Sequence, residues 1–330
     1  MASSKDVAKL AGVSVSSVSR AFREDCYISP DVKSKVLRAA EQLGYTPNLI
    51  ARGLKNQKSN IIGLIISDIE NPFYSSMTRI IEAQLKKSGY RLLLSYSNEN
   101  FEQETDDLYL LAGSRVDGII FIPTSNKNRG LINSLRKQNI ALMQMYRTAY
   151  TDIDTVLVDD KKGAYMATKH LIQNGHKDIL LLSVESAISP NRASGYREAL
   201  EEENIPVREE FIMHLPFQTD LRNTIHSKLE QLRPTAVITG TNTIGMDVIK
   251  VCKEHKISIP NDMSLVMFDD VSWASLLDIT TIAQPIENIG LSAARTIMDR
   301  IDKQYKGDPI VSVLEPHLIS RNSVKNLYAK

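Results

Sequence analysis

From residue 61 onward, the chain alternates between continuous apolar runs and amphipathic stretches of helical length. Short apolar runs bounded by turn residues are typical of strands buried on both faces, and intervening helices favour parallel pairing. The pattern therefore predicts parallel sheets that are covered by helices on both faces. The predicted strands span residues 61–67, 91–97, 117–122, 141–146, 156–159, 178–184, 236–239 and 265–268. The predicted helices span residues 74–88, 102–114, 129–138, 162–174, 192–203, 220–231, 243–255 and 287–304.

These strands and helices fit either one large sheet or two lobes. Residues 61–160 and residues 161–284 each hold about four strands with their helices, when a short strand before Phe217 is included. This even division favours two doubly wound lobes over a single sheet.

The first 46 residues have a different pattern, with short apolar stripes at helical spacing. Val7, Ala8 and Ala11 fall on one face of a first helix. Gly12 is expected to end that helix, because glycine adopts a left-handed backbone without strain. Ser14 is then placed to cap a second helix. Two short helices joined by a tight glycine-containing turn predict a helix-turn-helix unit.

The second predicted helix covers residues 15–23 and turns Val18 inward. Ser29 and Pro30 supply the cap and the first residue of a third helix. The apolar stripe of this third helix comprises Val32, Val36, Leu37, Ala40 and Leu43, and the helix is expected to end at Gly44.

The outward side chains of the second helix are the candidate DNA-reading residues. In a helix-turn-helix unit this helix enters the major groove, where small side chains permit close approach and an arginine can bond guanine bidentately. The outward residues are Val15, Ser16, Ser17, Ser19 and Arg20. The alternative is that they are solvated polar positions on an ordinary surface helix.

The distribution of charge favours the DNA-reading interpretation. The 330-residue chain has a formal net charge of only +1. Residues 1–60 hold ten Lys and Arg against five Asp and Glu, a net charge of +5, which leaves −4 on residues 61–330. Attraction for DNA phosphates is therefore concentrated in the N-terminal segment.

Two segments resemble the signature of the LacI/GalR (lactose-repressor/galactose-repressor) family of bacterial transcription regulators. They are Lys5-Asp-Val-Ala-Lys-Leu-Ala-Gly-Val-Ser-Val-Ser-Ser-Val-Ser-Arg20 and Leu43-Gly-Tyr-Thr-Pro-Asn48. The resemblance implies that Val15, Ser16 and Arg20 read operator bases. The wider DNA-binding surface that we predict also includes Ser4, Lys5, Ser14, Ser17, Ser19, Arg23, Ser29, Asn48, Ala51, Leu54 and Lys55.

Residues 47–60 are the predicted hinge. The resemblance implies a short helix that folds on DNA, with Leu54 wedged into the minor groove at the centre of a palindrome. Asn48 is a suitable cap, but so short a helix is unstable alone in water, and Gly53 costs roughly 1 kcal/mol relative to alanine. The segment is therefore expected to be helical only when DNA and a second copy supply contacts. An ordinary linker, with Leu54 incidental, is the alternative.

The rest of the chain resembles the periplasmic sugar-binding-protein fold that this family uses as a sensor. The fold class that we predict is an all-α helix-turn-helix domain followed by an α/β periplasmic-binding-protein-like core of two doubly wound parallel-sheet lobes. The resemblance implies that the last helix and strands cross back between the lobes. The predicted domains are residues 1–46 for DNA binding, 47–60 for the hinge and 61–330 for effector binding and dimerisation, with lobe 1 at about 61–160 and 288–316 and lobe 2 at about 161–287 plus the C-terminal segment.

Ligands of doubly wound sheets bind beyond the carboxyl ends of the strands. Carboxylates, amides and arginines bind the hydroxyl groups of a polyol, and aromatic faces stack on sugar rings. Asp159 is an additional candidate that could serve either as a hinge hydrogen-bonding residue or as a ligand contact. The resemblance assigns effector contacts to Asp68, Phe73, Tyr74, Arg147, Arg192, Phe217, Asn242 and Asp269.

This set places two arginines, Arg147 and Arg192, with the three carboxylates of Asp68, Asp159 and Asp269. We expect these carboxylates to compensate the arginines. Uncompensated arginines would instead favour a phosphate or carboxylate ligand, so the composition of the set favours a neutral sugar.

Composition narrows the remaining possibilities. No apolar run approaches the roughly 18 residues of a membrane span, and the N-terminus has no apolar signal segment, so we expect a cytoplasmic protein. The resemblance implies a bacterial protein, which would associate with the nucleoid when bound to DNA. Cys26 and Cys252 lack metal-ligand spacing and the six histidines are scattered. We therefore expect no metal, cofactor or membrane partner.

The leading hypothesis is a homodimeric repressor that binds a palindromic operator under the control of a small-molecule effector, with a sugar or sugar-like metabolite as the candidate. The C-terminal residues 321–330 contain no leucine heptads, which favours a dimer over a tetramer. One alternative is the same regulator acting with a corepressor or a non-sugar metabolite. More distant alternatives are an exported sugar-binding transport component and a nucleotide- or sugar-using α/β enzyme, but no GxxxxGK[ST] or GxGxxG motif follows a strand.

Overall fold

The computed structural model describes residues 2–22, 26–46, 58–184, 191–217, 220–302 and 307–328. The chain divides into two compact units, termed here the head (Met1–Ser59) and the core (Asn60–Lys330).

The head is built from helices α1 (Ser4–Ala11), α2 (Val15–Ala21) and α3 (Pro30–Gln42). A capping box begins α1: the Ser3 Oγ accepts a hydrogen bond from the Asp6 N–H, and the Asp6 carboxylate accepts one from the Ser3 N–H at 2.8 Å. Gly12 ends α1 with a left-handed φ of 64°, which confirms the predicted stop. The helix-turn-helix arrangement is therefore encoded by its caps as well as by its apolar stripe.

The head has a small hydrophobic core centred on Val18 and Val36. The prediction that Leu37 and Leu43 join this core is wrong, because they are 42% and 37% exposed. Since successive residues of a helix are rotated by about 100°, a helix that points Val36 inward turns Leu37 away from the same face. The buried apolar residues of the head are Val7, Ala8, Val18, Ala21, Val36, Ala39 and Ala40.

The core contains two six-stranded sheets, A and B. In spatial order, sheet A consists of β11 (Val311–Leu314), β5 (Asp154–Val158), β4 (Ala141–Met145), β3 (Gly118–Phe121), β1 (Ile61–Ile66) and β2 (Arg91–Tyr96). Sheet B consists of β12 (His317–Ile319), β10 (Thr280–Ala283), β9 (Ser264–Phe268), β8 (Ala236–Thr239), β6 (Ile179–Val184) and β7 (Ile212–Leu215). The pairing of β10 with β12 is antiparallel, and the other described pairings are parallel.

Helices cover both faces of each sheet, as predicted. Alternate residues of β1 enter different apolar clusters, since Leu64 and Ile66 lie in one cluster and Ile65 lies in another. Leu180 and Leu181 of β6 are divided in the same way. The helices of the core are α4 (Pro72–Lys87), α5 (Phe101–Gly113), α6 (Arg129–Lys137), α7 (Asp160–Gln173), α8 (Arg192–Glu202), α9 (Arg222–Leu232), α10 (Asn242–Glu254), α11 (Ser272–Leu276) and α12 (Ile286–Ile301).

The chain crosses between the sheets after β5, after β10 and between β11 and β12. Helix α12 follows β10 of sheet B but buries Ile289 and Ile297 in the cluster that covers sheet A. Strand β11 then pairs with β5, and β12 returns to pair with β10. We term sheet A with its helices lobe 1, and sheet B with its helices lobe 2.

The eight strands and eight helices predicted from the apolar pattern are present, whereas β10, β11, β12 and α11 were not located by that pattern. β11 leaves Val311 and Val313 56% and 57% exposed, so it lacks the continuous apolar run that marks a buried strand. β12 has three residues and α11 has five, too few for a period to be recognised. Within the described ranges, no helix is long and apolar enough to cross a membrane.

Candidate functional site

The candidate DNA-reading surface is the outward face of α2. Ser14 caps this helix, because its Oγ accepts a hydrogen bond from the Ser17 N–H at 3.1 Å. The same Oγ lies 2.7 Å from Ser16 Oγ and 2.9 Å from Ser17 Oγ, so three hydroxyl groups cluster at the start of the helix. Val15 is 44% exposed, and the exposed Arg20 guanidinium has no hydrogen-bond or ion-pair partner among the described residues. These donors and apolar surfaces are free to meet a groove.

The other predicted DNA contacts fall into two groups. Lys5 and Ser19 are exposed, and Ser4 is half-buried. Ser29 is also half-buried and caps α3, since its Oγ accepts a hydrogen bond from the Val32 N–H at 3.5 Å. The remaining predicted contacts lie outside the described residues and stay predictions: Arg23, Asn48, Ala51, Leu54 and Lys55.

The candidate effector site lies where the carboxyl ends of the strands of both lobes meet, and we term it the interlobe site. Its members are polar and aromatic residues that follow these strands or begin the next helix. They are Asn71, Phe73, Tyr74, Glu99, Tyr146, Arg147, Asp160, Arg192, Asn242, Asp269 and Gln284.

A buried hydrogen-bond network joins the two lobes. Asn242 of lobe 2 donates from Nδ2 to Asn71 Oδ1 of lobe 1 at 2.8 Å and to Asp269 Oδ2 at 2.9 Å. Gln284 donates from Nε2 to Asp269 Oδ1 at 2.6 Å. All four side chains are buried, and within the described residues the buried Gln284 Oε1 has no partner. The network therefore contains one open acceptor in a position where an incoming hydroxyl could donate.

Three aromatic rings lie beside this network. Phe73 of α4 is 4% exposed and packs into the apolar cluster of lobe 2, although α4 belongs to lobe 1. Its ring centroid lies 5.3 Å from that of Tyr74 and 5.4 Å from that of Tyr146. Burial, with a further contribution from the Glu99 carboxylate and opposition from Arg147, raises the pKa of Tyr74 to about 12. Its hydroxyl is therefore neutral near pH 7 and can donate a hydrogen bond.

Arg192 is held tightly within lobe 2. Its Nε lies 2.7 Å and its Nη2 2.6 Å from Asp160 Oδ1, and its Nη1 donates to the Gly240 carbonyl oxygen. The guanidinium also lies over the Phe268 ring, 4.2 Å from the centroid. Asp160 is 5% exposed, so this pair is almost completely removed from water. Every guanidinium nitrogen of Arg192 is engaged within the protein.

Arg147 has an equivalent pair in lobe 1. Its Nη1 donates to Glu99 Oε2 at 2.6 Å and its Nη2 donates to Glu99 Oε1 at 2.8 Å, a bidentate arrangement. Nη1 also donates to the Pro123 carbonyl oxygen at 3.0 Å. Burial acts to lower the pKa of Arg147, but the adjacent Glu99 carboxylate outweighs burial and raises it above its ordinary value.

The partners of the arginines differ from those expected. Compensation by Asp68, Asp159 and Asp269 is wrong, because Glu99 and Asp160 fill that role. Asp159 instead caps α7, accepting from the Lys162 N–H at 2.9 Å. Asp68 accepts from the Glu70 N–H at 2.8 Å within its own turn, and Asp269 is occupied by the interlobe network.

Of the other predicted effector contacts, the structure brings Phe73, Tyr74, Asn242 and Asp269 together. Phe217 is 42% exposed, and no described ring of the interlobe site stacks on it.

Five members of the interlobe site are not among the predicted effector contacts: Asn71, Glu99, Tyr146, Asp160 and Gln284. Three of them had a local signal, since Asn71 precedes Pro72 as a helix cap, Tyr146 ends a predicted strand and Asp160 follows another. Glu99 lies three residues beyond β2, and Gln284 ends the unrecognised β10, so only the folded sheets bring them to the site.

A two-lobed α/β core with a polar site between its lobes, preceded by a helix-turn-helix head, defines a ligand-binding regulator of DNA. Residues 4–48 match the family described as bacterial regulatory proteins, lacI family, and residues 59–318 match the periplasmic binding proteins and sugar binding domain of LacI family. The chain belongs to the LacI family of bacterial regulatory proteins.

Curated relatives match nearly the whole chain. It is 31% identical to the HTH-type transcriptional repressor PurR of Vibrio parahaemolyticus over 336 residues, which are 99% of this chain and 100% of that protein. It is 33% identical to catabolite control protein A of Priestia megaterium, over 97% of this chain and 98% of that protein. The chain is thus a DNA-binding transcriptional regulator with an effector-binding core, and not an enzyme.

Solved structures share the fold. The complex of the transcriptional regulator CelR with cellobiose has a TM-score of 0.72 and 25% identity, and it covers 98% of this chain and 100% of that one. The lac repressor dimer bound to operator and the anti-inducer ONPF has a TM-score of 0.81 over 98% of this chain and 99% of that one. At 22% identity, this second likeness concerns the fold alone.

Proposed function

We propose that the chain represses transcription as a homodimer on a palindromic operator, and that a sugar or sugar-like metabolite bound at the interlobe site changes its affinity for that operator. The observation that carries the proposal is the hydrogen bond from Asn242 of lobe 2 to Asn71 of lobe 1. A polyhydroxylated ligand that exchanges bonds with this network alters the contact between the lobes. The protein would act in the bacterial cytoplasm.

The interlobe site has the chemistry of a sugar site. It combines carboxylate, amide and guanidinium groups with three aromatic rings, and it leaves the Gln284 Oε1 as an acceptor. Two relatives support a sugar, since CelR was solved with cellobiose and a LacI family regulator of Enterococcus faecium was solved with bound ribose. The latter is 27% identical, covers 81% of this chain and 99% of that one, and has a TM-score of 0.72.

The coupling between effector binding and DNA binding follows from thermodynamic linkage. A ligand shifts the equilibrium between two arrangements of the lobes only if it binds them unequally, and DNA then changes ligand affinity by the same factor. Asn71 and Asn242 provide the unequal interaction, because their mutual hydrogen bond exists only when the lobes are in contact. An inducer would favour the arrangement that binds DNA poorly, and a corepressor would favour the other.

Exposed apolar residues support dimerisation through lobe 1. β2 is an edge strand, and its Leu93, Leu94 and Tyr96 are 39%, 37% and 41% exposed. α5 packs near β2 and leaves Tyr109 and Leu110 each 61% exposed. An unpaired strand edge beside a large apolar patch is a characteristic interaction surface, and a two-fold pairing there accounts for a palindromic site.

Selection of binding sites from a random-sequence DNA pool tests the DNA part of this proposal. We expect an inverted repeat whose half-sites lie about one or more helical turns apart, and binding that weakens steeply as salt concentration rises. Recovery of a single non-repeated site, or a flat salt response, would contradict it.

The dimerisation part is tested by sedimentation. Leu110→Glu should convert the dimer to a monomer, whereas the matched change Leu327→Glu, on an exposed residue elsewhere in the core, should not.

Titration of a sugar panel against the operator complex tests the effector part. We expect at least one sugar to change operator affinity in the wild type and to lose its effect in Asn242→Ala. Persistence of the full response in that variant would place the effector site elsewhere.

A further inference from the structure

The pair formed by Arg147 and Glu99 spans the carboxyl edge of sheet A. Arg147 follows β4, Pro123 follows β3 and Glu99 lies beyond β2, with β1 between β3 and β2 in the sheet. At about 4.8 Å between neighbouring strands, β4 and β2 lie roughly 14 Å apart in the sheet. The ion pair therefore bridges the ends of the central strands, the region where a ligand of this lobe would bind.

The backbone positions the Glu99 carboxylate specifically. Asn98 and Glu99 both have left-handed φ angles, of 50° and 55°, which non-glycine residues adopt uncommonly. The Asn98 N–H is anchored to the Ser67 carbonyl oxygen at 2.8 Å. This turn delivers Glu99 over the sheet edge, where its side chain is only 12% exposed and that of Arg147 only 10%.

The bridge leaves the interlobe site without a free cation among the described members. Arg147 is bound bidentately by Glu99, and Arg192 is bound by Asp160. A phosphate or carboxylate ligand needs such a guanidinium, so it would have to displace a carboxylate that is already in place. Displacement would leave that carboxylate buried beside a second anion, which is costly.

Other acidic groups add to this bias against anionic ligands. Glu104 is fully buried behind the pair, where it accepts hydrogen bonds from the Thr124 N–H at 2.5 Å and from Asn128 Nδ2 at 2.9 Å. Asp269 lies across the site. The site as a whole holds more carboxylates than guanidinium groups, which disfavours anions.

We propose that Glu99 determines the charge selectivity of the interlobe site, restricting it to uncharged polar ligands by neutralising Arg147. The inference rests on the proposed function of this site as the effector site. Without the Glu99 charge, the Arg147 guanidinium becomes an anion receptor at the edge of sheet A.

Inorganic phosphate is the probe for a test, and it does not require the natural effector to be known. In Glu99→Gln, phosphate should raise the unfolding temperature relative to sodium chloride of equal ionic strength, by about 3 °C at a tenfold excess over the dissociation constant. Wild type and the matched variant Glu102→Gln should share any small response that the basic head produces. Glu102 is exposed and loses the same charge three residues away.

Two further variants separate charge selectivity from a structural role. Glu99→Asn should gain the same phosphate response, because asparagine tolerates the left-handed backbone at this position. Glu99→Gln combined with Arg147→Met should lose the gain, because the proposed receptor is then absent. A merely structural pair would lower the unfolding temperature in these variants without creating any phosphate response.

The proposal is overturned if Glu99→Gln and Glu99→Asn fold and neither gains phosphate binding over wild type. It is also overturned if a sugar phosphate acts on wild-type protein more strongly than the matched neutral sugar, an outcome that leaves the proposed repressor function standing. Failure to select a palindrome or to find any sugar response would refute the proposed function, while the phosphate gain would still decide the role of Glu99.

Discussion

The candidate binding residues of the head and those of the core differ in exposure and in their bonding partners. In the head, Arg20 and Val15 of α2 are exposed, and the Arg20 guanidinium has no partner among the described residues. In the core, Arg192, Asn242 and Asp269 are buried, and each already has partners within the protein.

This difference indicates two modes of recognition. The head presents side chains on a short capped helix and can meet DNA without breaking internal bonds. A ligand of the interlobe site, as proposed, would have to exchange internal hydrogen bonds for its own, which would couple its binding to the contact between the lobes. Substitutions in the core should therefore affect stability first, whereas substitutions on the reading face should affect DNA binding alone.

The largest effect should come from Arg192→Met. It leaves the Asp160 carboxylate buried without its cation, which costs about 3–5 kcal/mol of the free energy of unfolding of the core. The chain's single tryptophan, Trp273, packs against the main cluster of lobe 2, so its fluorescence during denaturant unfolding reports on this region.

A matched control for this variant is Arg197→Met. Arg197 also binds a carboxylate through two nitrogens, but its partner Glu209 is 68% exposed. We expect a loss below about 1 kcal/mol, because exposed pairs contribute little. Equal losses in the two variants would show that burial does not distinguish the core site from the surface.

The next largest effect is expected from Arg20→Ala, a change on the DNA-reading face of the head. Loss of a bidentate contact to guanine should weaken operator binding by about 1–3 kcal/mol and relax specificity at one base position. The free energy of unfolding should change by less than about 0.5 kcal/mol, because the guanidinium supports nothing in the described structure. Fluorescence anisotropy on the selected operator and on single-base variants measures the first effect.

Arg38→Ala is the control for sequence reading. Arg38 is exposed on α3, so its removal takes the same charge from the head without touching α2. It should weaken all DNA sequences uniformly. A relaxed base preference in Arg38→Ala but not in Arg20→Ala would mean that α2 is not the reading helix.

The head and the core also differ in how far they could be predicted. Local signals specify the head, since Gly12, Ser14 and Ser29 each mark a helix end, and these positions are confirmed. The strands and helices of the core were equally visible as apolar periods.

The hydrogen-bond and ion-pair partners at the interlobe site could not be predicted from apolar periods. Glu99 and Arg147 are 48 residues apart in sequence, and Asn71 and Asn242 are 171 apart. Such pairs depend on sheet order and on left-handed turns, which no local period encodes. The sequence could indicate that the arginines are compensated, but not by which carboxylates.

A smaller effect is expected from Ser14→Ala in the head. Removing the cap takes the Ser14 Oγ acceptor away from the Ser17 N–H, which keeps only its bond to the Ser14 carbonyl oxygen, and should destabilise α2 by about 1 kcal/mol. Hydrogen exchange of the α2 amides in the full-length protein measures this loss. Ser19→Ala, an exposed position in the same helix, should leave exchange unchanged. Faster exchange throughout the core in Ser14→Ala would contradict a loss confined to α2.

The smallest effect is a pH dependence confined to the core, because all six histidines lie there. His176 is 1% exposed, and its Nε2 lies 3.0 Å from the Lys325 carbonyl oxygen. Since a carbonyl only accepts, Nε2 carries the proton, and Nδ1 is the unprotonated nitrogen, 3.1 Å from the Thr235 hydroxyl oxygen. Burial lowers the pKa of His176 below its ordinary value of 6.5, although the Lys325 carbonyl opposes this.

The folded core therefore binds fewer protons than the unfolded chain at mildly acidic pH. The contribution of His176 is fully present above the unfolded pKa and is lost as the pH falls towards the lowered folded pKa. Unfolding of the core between pH 7.5 and 6.0 should show this slope, and His176→Gln should reduce it. A pH dependence in the amide exchange of α2, corrected for intrinsic rates, would contradict its confinement to the core, since the head has no histidine to titrate.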